Sequence, residues 1–338
     1  MLQTRKRMVG LCLCRACLMG SFVCWVVSSC APPGIENVAL GDIRPPIVKN
    51  ATLENTREFV LEFDEPVRVG ERSFCVEPRH LVVSVESSET TVNVHFEPPP
   101  APGEPITLAG NVQDLSGNTT RVQVQFKGYN DRPAALALSE VQPAKNASKR
   151  TPHRDYAEFY VKRAGNLGGM FVQWASSTKT MRYDFPVCEV KEGEVIVLHL
   201  APEGISEEKN ELDDDLDLSG GIDATPYGRD FWSDAGGIPD ASGAISVYMR
   251  EGEAPIDGIF YAESSKTGSL GSSKLLVLVQ ELADAGLWLL DSAPAWEDAL
   301  MWKPSTTKPL LRTSVEKNGA EAWSVGESGS QNPGLMAR

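Results

Sequence analysis

Three groups of residues in this sequence have types and spacing that could do chemistry. The first is an acidic block: Glu207, Glu208, Glu211, Asp213, Asp214, Asp215 and Asp217, relieved by Lys209 alone. Closely spaced carboxylates supply the hard oxygen ligands that calcium takes, and Asp213, Asp215 and Asp217 alternate as the first ligands of a calcium loop do. Leu218 stands where such a loop needs its turn glycine, and Ala224 where it needs its closing Glu. The block reads equally as a solvated loop, because like charges repel and stay open. The second group is the histidines, His80, His95, His153 and His199. No two have i, i+4 metal spacing, and none sits in an H-E-x-x-H. A nucleophile elbow, a P-loop and a dinucleotide-binding glycine motif are all missing, so no catalytic site is expected. The third group is the cysteines. Cys12, Cys14, Cys17, Cys24 and Cys30 crowd the N-terminus, leaving Cys75 and Cys188 in the body of the chain. That pair reads as free thiols or as one long-range disulfide, which would need the two Cα atoms within about 7 Å.

The crowded N-terminus has three zones. Arg5, Lys6 and Arg7 are a positive start, Ala16 to Val27 is an almost unbroken apolar run, and Val27-Ser28-Ser29-Cys30 closes it. The run is too short to span a bilayer, which takes ~20 apolar residues, and the layout is that of a secretory signal over 1–29. Its end resembles a bacterial lipobox of the relaxed, spirochaete (treponemal-like) type, with an aliphatic residue, two small residues and the cysteine. The resemblance implies diacylglyceryl transfer to the Cys30 thiol, cleavage before it, and an extracytoplasmic protein held to the bacterial cell membrane by acyl chains. Residues 30–42, beginning Ala31-Pro32-Pro33-Gly34, would be the tether.

Charge narrows the partners. The chain of 338 residues has 32 Lys+Arg against 46 Asp+Glu, a formal net charge of −14. Arg5, Lys6, Arg7 and Arg15 all precede Cys30 with no acid among them, so the remainder is more acidic still. A phosphate-backbone binder needs clustered bases, so no nucleic acid partner is expected. The partners expected are the membrane, through the acyl chains, and a protein. Hydrophobic content of 41% is that of a folded chain.

The elements beyond the tether read as strands. Phe59–Phe63, Ser73–Glu77, Leu81–Val85, Thr91–Phe96, Ile106–Ala109 and Arg121–Phe126 follow one another, with Val92/Val94/Phe96 and Val122/Val124/Phe126 each on one face. Alternation of this kind marks half-buried strands. Pro98-Pro99-Pro100-Ala101-Pro102-Gly103 and Ser116-Gly117-Asn118 supply turns between them. A second series runs through Leu136–Val141, Tyr156–Val161, Gly169–Trp174, Tyr183–Phe185, Val195–Leu200, Ala244–Met249 and Ile256–Tyr261. One helix interrupts it: Leu275, Leu278, Val279 and Leu282 follow i, i+3, i+4, i+7, with Ser272 or Ser273 to cap the start and Gly286 the end. That helix reads as packed on the sandwich edge or as free for a partner. Trp288, Trp296 and Trp302 after it read as satellite core or as a ligand platform. The fold class is therefore all-β, two β-sandwich domains over 43–130 and 133–335, with an insert at about 262–309.

Both halves resemble known families. Pro45-Pro46-Ile47-Val48, Phe63-Asp64-Glu65-Pro66-Val67, Pro102-Gly103-Glu104 and Val112-Gln113-Asp114-Leu115-Ser116-Gly117-Asn118 are similar to the motifs of bacterial Ig-like domains of surface proteins. Leu138-Ser139-Glu140-Val141, Tyr156–Val161, Phe185-Pro186, Val190–Glu194, Phe231-Trp232, Ile256–Tyr261 and the tail Leu311-Arg312, Ala322-Trp323, Asn332-Pro333-Gly334 resemble the lamin-tail domain. The first resemblance implies a spacer and the second a recognition module. Together they imply a non-catalytic binding or structural role at the cell envelope. The alternatives are a calcium-dependent adhesin using Asp213, Asp215 and Asp217, or an accessory subunit of an extracytoplasmic hydrolase.

Overall fold

The computed structural model describes residues 42–70, 73–79, 81–144, 153–271, 273–290 and 292–336. Residues 1–41, with the expected signal segment, Val27, Ser28, Ser29, Cys30 and most of the expected tether, lie outside the described residues, as do His80 and Ser272.

The alternating strands build the first sandwich. Its strands are β1 (Val48–Leu53), β2 (Glu58–Phe63), β3 (Val67–Arg68), β4 (Phe74–Glu77), β5 (Val82–Ser88), β6 (Thr91–Glu97), β7 (Pro105–Asp114) and β8 (Thr119–Lys127). One sheet has the order β1-β2-β6-β5. In the other, the long β7 pairs with β8 along one side and with β3 and β4 along the other. Val92, Val94 and Phe96 are fully buried, as their spacing requires, and they meet Leu61, Leu108 and Val112 between the sheets. Phe59 stacks on Phe126 at 4.3 Å and closes the side where β1 and β8 are the edges.

A separate apolar core organises the second sandwich. Its strands are β9 (Ala135–Gln142), β10 (Tyr156–Arg163), β11 (Gly165–Asn166), β12 (Phe171–Ala175), β13 (Thr180–Asp184), β14 (Glu189–Val190), β15 (Val195–His199), β16 (Arg229–Trp232), β17 (Gly243–Tyr248), β18 (Pro255–Glu263), β19 (Leu300–Trp302), β20 (Leu310–Arg312) and β21 (Trp323–Val325). A six-stranded sheet, β16-β15-β10-β9-β20-β21, faces a five-stranded one, β13-β12-β17-β18-β19, across the core, and β11 pairs with β14. Here the burial does not alternate. Every residue of β15 and β17 is buried, because both sheets are covered on their outer faces as well.

On the five-stranded sheet that cover is α1 (Lys274–Asp284). Ser273 Oγ accepts the Leu276 N–H at 3.1 Å and caps it, and Gly286, at φ 71°, turns the chain away after it. Leu275, Leu278, Val279 and Leu282 are the buried face. Leu282 seats over Gly258, where a Cβ would lie 2.6 Å from its methyl. Trp288, Trp296 and Trp302 are all in the core, which settles their role as apolar mass. The insert also gives the sheet an edge strand, since β19 pairs in parallel with β18.

Arg312 of β20 and Asp257 of β18 join the two sheets. Arg312 Nη1 lies 2.6 and 2.8 Å from the two Asp257 oxygens, and Leu138 N–H donates to the same carboxylate at 2.7 Å. Burial raises the Asp257 pKa, with Arg312 and these donors opposing.

Candidate functional site

The acidic block folds around a buried arginine. Arg229 Nη1 donates to the Glu211 and Asp213 carbonyls at 2.8 and 2.5 Å, and its Nε pairs with Glu194 at 2.5 Å. Glu211 is fully buried, and its carboxylate accepts the N–H groups of Ser219 and Asp230 at 3.0 and 2.8 Å. The reading of an open solvated loop is corrected at this residue: a buried cation and two backbone donors offset the repulsion that would hold the block open. Asp213, Asp215 and Asp217 stay exposed on the loop's outer side. Asp213 Oδ1 accepts from Asp215 N–H at 3.1 Å, and Asp215 Oδ1 from Asp217 N–H at 3.2 Å. Both bonds are local turns, and no group of three ligand atoms within 4.8 Å of one another includes any of the three residues among the described residues. Of the thiols, Cys75 is exposed, Cys188 is buried, and both are free.

Where the two sandwiches meet, backbone touches backbone. A Cβ on Gly103 would lie 2.2 Å from the Gly169 nitrogen, and one on Gly168 would lie 2.4 Å from the Pro102 carbonyl oxygen. Lys127 pairs with Asp184 at 2.5 Å. Arg250 lies over the Tyr129 ring at 4.2 Å and donates to the Asn130 carbonyl at 3.0 Å. Beside this seam is a cavity of about 710 Å³ lined by Leu53, Ile106, Phe126, Tyr129, Met249 and Arg250, among others. Leu53 and Phe126 come from the edge strands β1 and β8, so the groove has an apolar floor and two strand edges.

The outer face of the six-stranded sheet carries a third constellation, which the strand patterns did not reveal. Glu140 of β9 and Glu158 of β10 are direct cross-strand partners, and both are fully buried. Tyr156 Oη donates to Glu140 Oε1, and Ser139 Oγ donates to Glu158 Oε1 at 2.7 Å. Glu140 Oε2 has no partner. Burial pushes the Glu140 pKa up to about 7, against the pull of Tyr156. Burial and the Glu140 charge push Glu158 up to about 8. Alongside, His199 Nε2 meets Asp230 Oδ1 at 2.8 Å and stacks on Trp232 at 3.9 Å. His153 Nδ1 meets Asp223 Oδ1 at 2.7 Å, and that bond raises the His153 pKa. The available signal was a single Glu inside each of two mostly apolar strands, Leu136–Val141 and Tyr156–Val161.

Residues 134–325 match the TP_1001_2nd family, described as a protein second domain. That is more than half of the chain. The chain belongs to this family. The TP_1001_2nd match begins at the residue before β9 and ends with β21, so it takes in both sheets of the second sandwich. An uncharacterised protein of Treponema pallidum (strain Nichols) is 31% identical over 181 residues, covering 48% of this chain and 44% of that protein. The chain thus spans less than half the length of this relative. The N-terminal part of the bacterial S-layer protein SbsC superposes with a TM-score of 0.25 at 16% identity, over 45% of this chain and 37% of that one. That superposition is too loose to bear on function.

Proposed function

We propose that this protein is a lipid-anchored, extracytoplasmic envelope protein of a spirochaete-type bacterium with a non-catalytic binding or structural role. Cys30 carries the acyl chains, an Ig-like sandwich follows the tether, and a lamin-tail-like sandwich lies beyond it. The observation that carries the reading is Val27-Ser28-Ser29-Cys30 after an apolar run and ahead of a chain that folds as β-sandwiches from Val48 on. Two features of the folded part support it. The acid–base groups best suited to catalysis are sealed in the protein, with Glu140, Glu158 and His199 each at 0% exposure. The groove at the seam, by contrast, offers apolar side chains beside open strand edges, the features by which extended segments are taken up.

Membrane fractionation tests the anchor. Wild-type protein expressed with its signal partitions with membranes and into detergent, whereas Cys30→Ala is released as a water-soluble protein or retained as the uncleaved precursor. A cleaved Cys30→Ala protein that still partitions with membranes would refute the reading. For the groove, Phe126→Asp in the folded protein abolishes binding of peptides selected against the wild type. Unchanged binding would move the recognition surface elsewhere.

A further inference from the structure

The chain's C-terminal segment lies against the Glu140–Glu158 pair. Gly334 N–H donates to Glu158 Oε2 at 3.0 Å. Gln331 Nε2 reaches Gln142 Oε1 at 3.3 Å, and the Pro333 carbonyl accepts from Thr225 Oγ1 at 3.2 Å. Pro333 and Gly334 are buried. The contact leaves no slack: a Cβ on Gly334 would fall 2.4 Å from Thr225 Oγ1 and 2.9 Å from the Gly228 nitrogen.

The covering segment, Gln331-Asn332-Pro333-Gly334-Leu335, brings no charge to the two carboxyls. Other titratable groups face them from neighbouring elements. From β10 comes Tyr156, bonded to Glu140. From the loops come Asp223 and His153, which act on Glu140 through their charges but are bonded to each other. Farther along the same face are His199 of β15 and Asp230 of β16, also a closed pair. No Lys or Arg among the described residues pairs with Glu140 or Glu158. Two carboxylates side by side in a buried site cannot both ionise without a large cost, and like charges directly across a β-ladder repel.

We propose that residues 331–335 are a proton-gated strap: the Glu140–Glu158 pair holds them across the sheet while at least one carboxyl keeps its proton, and lets them go when both are charged. Release hydrates both carboxylates. Burial raises both pKa values above the ordinary carboxylate range, to about 7 and about 8. The docked state therefore favours the protonated acids. Docking is strongest below the ordinary carboxylate pKa and weakens as pH rises through that higher range. The transition falls near neutrality.

Hydrogen exchange of the full-length chain in detergent micelles, followed on the C-terminal peptide and corrected for intrinsic rates, reads the strap directly. Wild-type protection of the Gly334 amide falls by about tenfold or more between pH 6 and pH 9, since each lost proton changes the equilibrium by up to ~10-fold per pH unit. Glu140→Gln with Glu158→Gln keeps protection at pH 9 within about twofold of its pH 6 value, because neither side chain ionises. Each single variant shows a smaller fall than wild type and serves where the double variant does not fold. Gly334→Ala loses protection at both pH values while peptides from β6 stay protected, which separates an open strap from an unfolded chain. Equal wild-type protection at both pH values, or an undiminished fall in the Gln variants, would overturn the proposal.

Discussion

The two sandwiches solve the same packing problem with different means. In the first, two sheets close over one apolar core, and Asp114 is the one charged side chain buried there among the described residues. Its outer faces meet water. In the second, both outer faces are covered, by α1 on one sheet and by the C-terminal segment on the other, so ionisable groups on those faces end up inside. Glu140, Glu158, His199 and Asp230 are buried on such a face, and the Asp257–Arg312 pair is buried between the sheets. A domain that covers its sheets gains apolar contact and must then satisfy or neutralise the charges it has enclosed. The first sandwich keeps its ion pairs on the surface, where they contribute little.

The largest expected effect breaks that contrast at its strongest point. Arg312→Ala leaves the Asp257 carboxylate buried without its cation and is expected to cost about 3–5 kcal/mol. Arg57→Ala in the first sandwich removes a pair whose side chains are 40% and 69% exposed and is expected to cost about 0–1 kcal/mol. Urea unfolding followed by tryptophan fluorescence reads Arg312→Ala, because every tryptophan of the folded body belongs to the second sandwich, and far-ultraviolet circular dichroism over the same titration reads Arg57→Ala. Leu282→Ala comes next, at about 2–5 kcal/mol by the same readout, as the cost of a cavity under α1. A loss below ~0.5 kcal/mol, the scale of surface substitutions, would show that the helix is not the cover described. The smallest effect is expected from calcium. Asp213 and Asp215 each spend an oxygen on their own loop, so calorimetric titration should give no binding heat that depends on Asp213, with wild type and Asp213→Ala alike. Heat that vanished in Asp213→Ala would restore the loop as a metal site.

The same contrast explains what the sequence disclosed. β6 and β8 alternate because one face is wet, and α1 announces itself through Leu275, Leu278, Val279 and Leu282. Strands covered on both faces have no such rhythm, and the short ones (β16, β19, β20 and β21) have too few residues to show a period. The enclosed charges were hidden for a further reason. A lone Glu140 or Glu158 in a strand reads as a residue facing solvent. Only the tertiary fold brings in Gly334, 176 positions from Glu158, to cover it. Asp257 and Arg312 are 55 residues apart and have no local motif. The acidic block was legible as a charge run, but its organiser, Arg229, lies outside it.

The anchor proposed for the folded body is a lipidated Cys30. Mass spectrometry of the mature protein, extracted from membranes of cells that process lipoproteins, tests this most directly. The result predicted is an N-terminal peptide beginning at Cys30 and carrying a diacylglyceryl group. An unmodified mature N-terminus, or one that begins elsewhere, would contradict it.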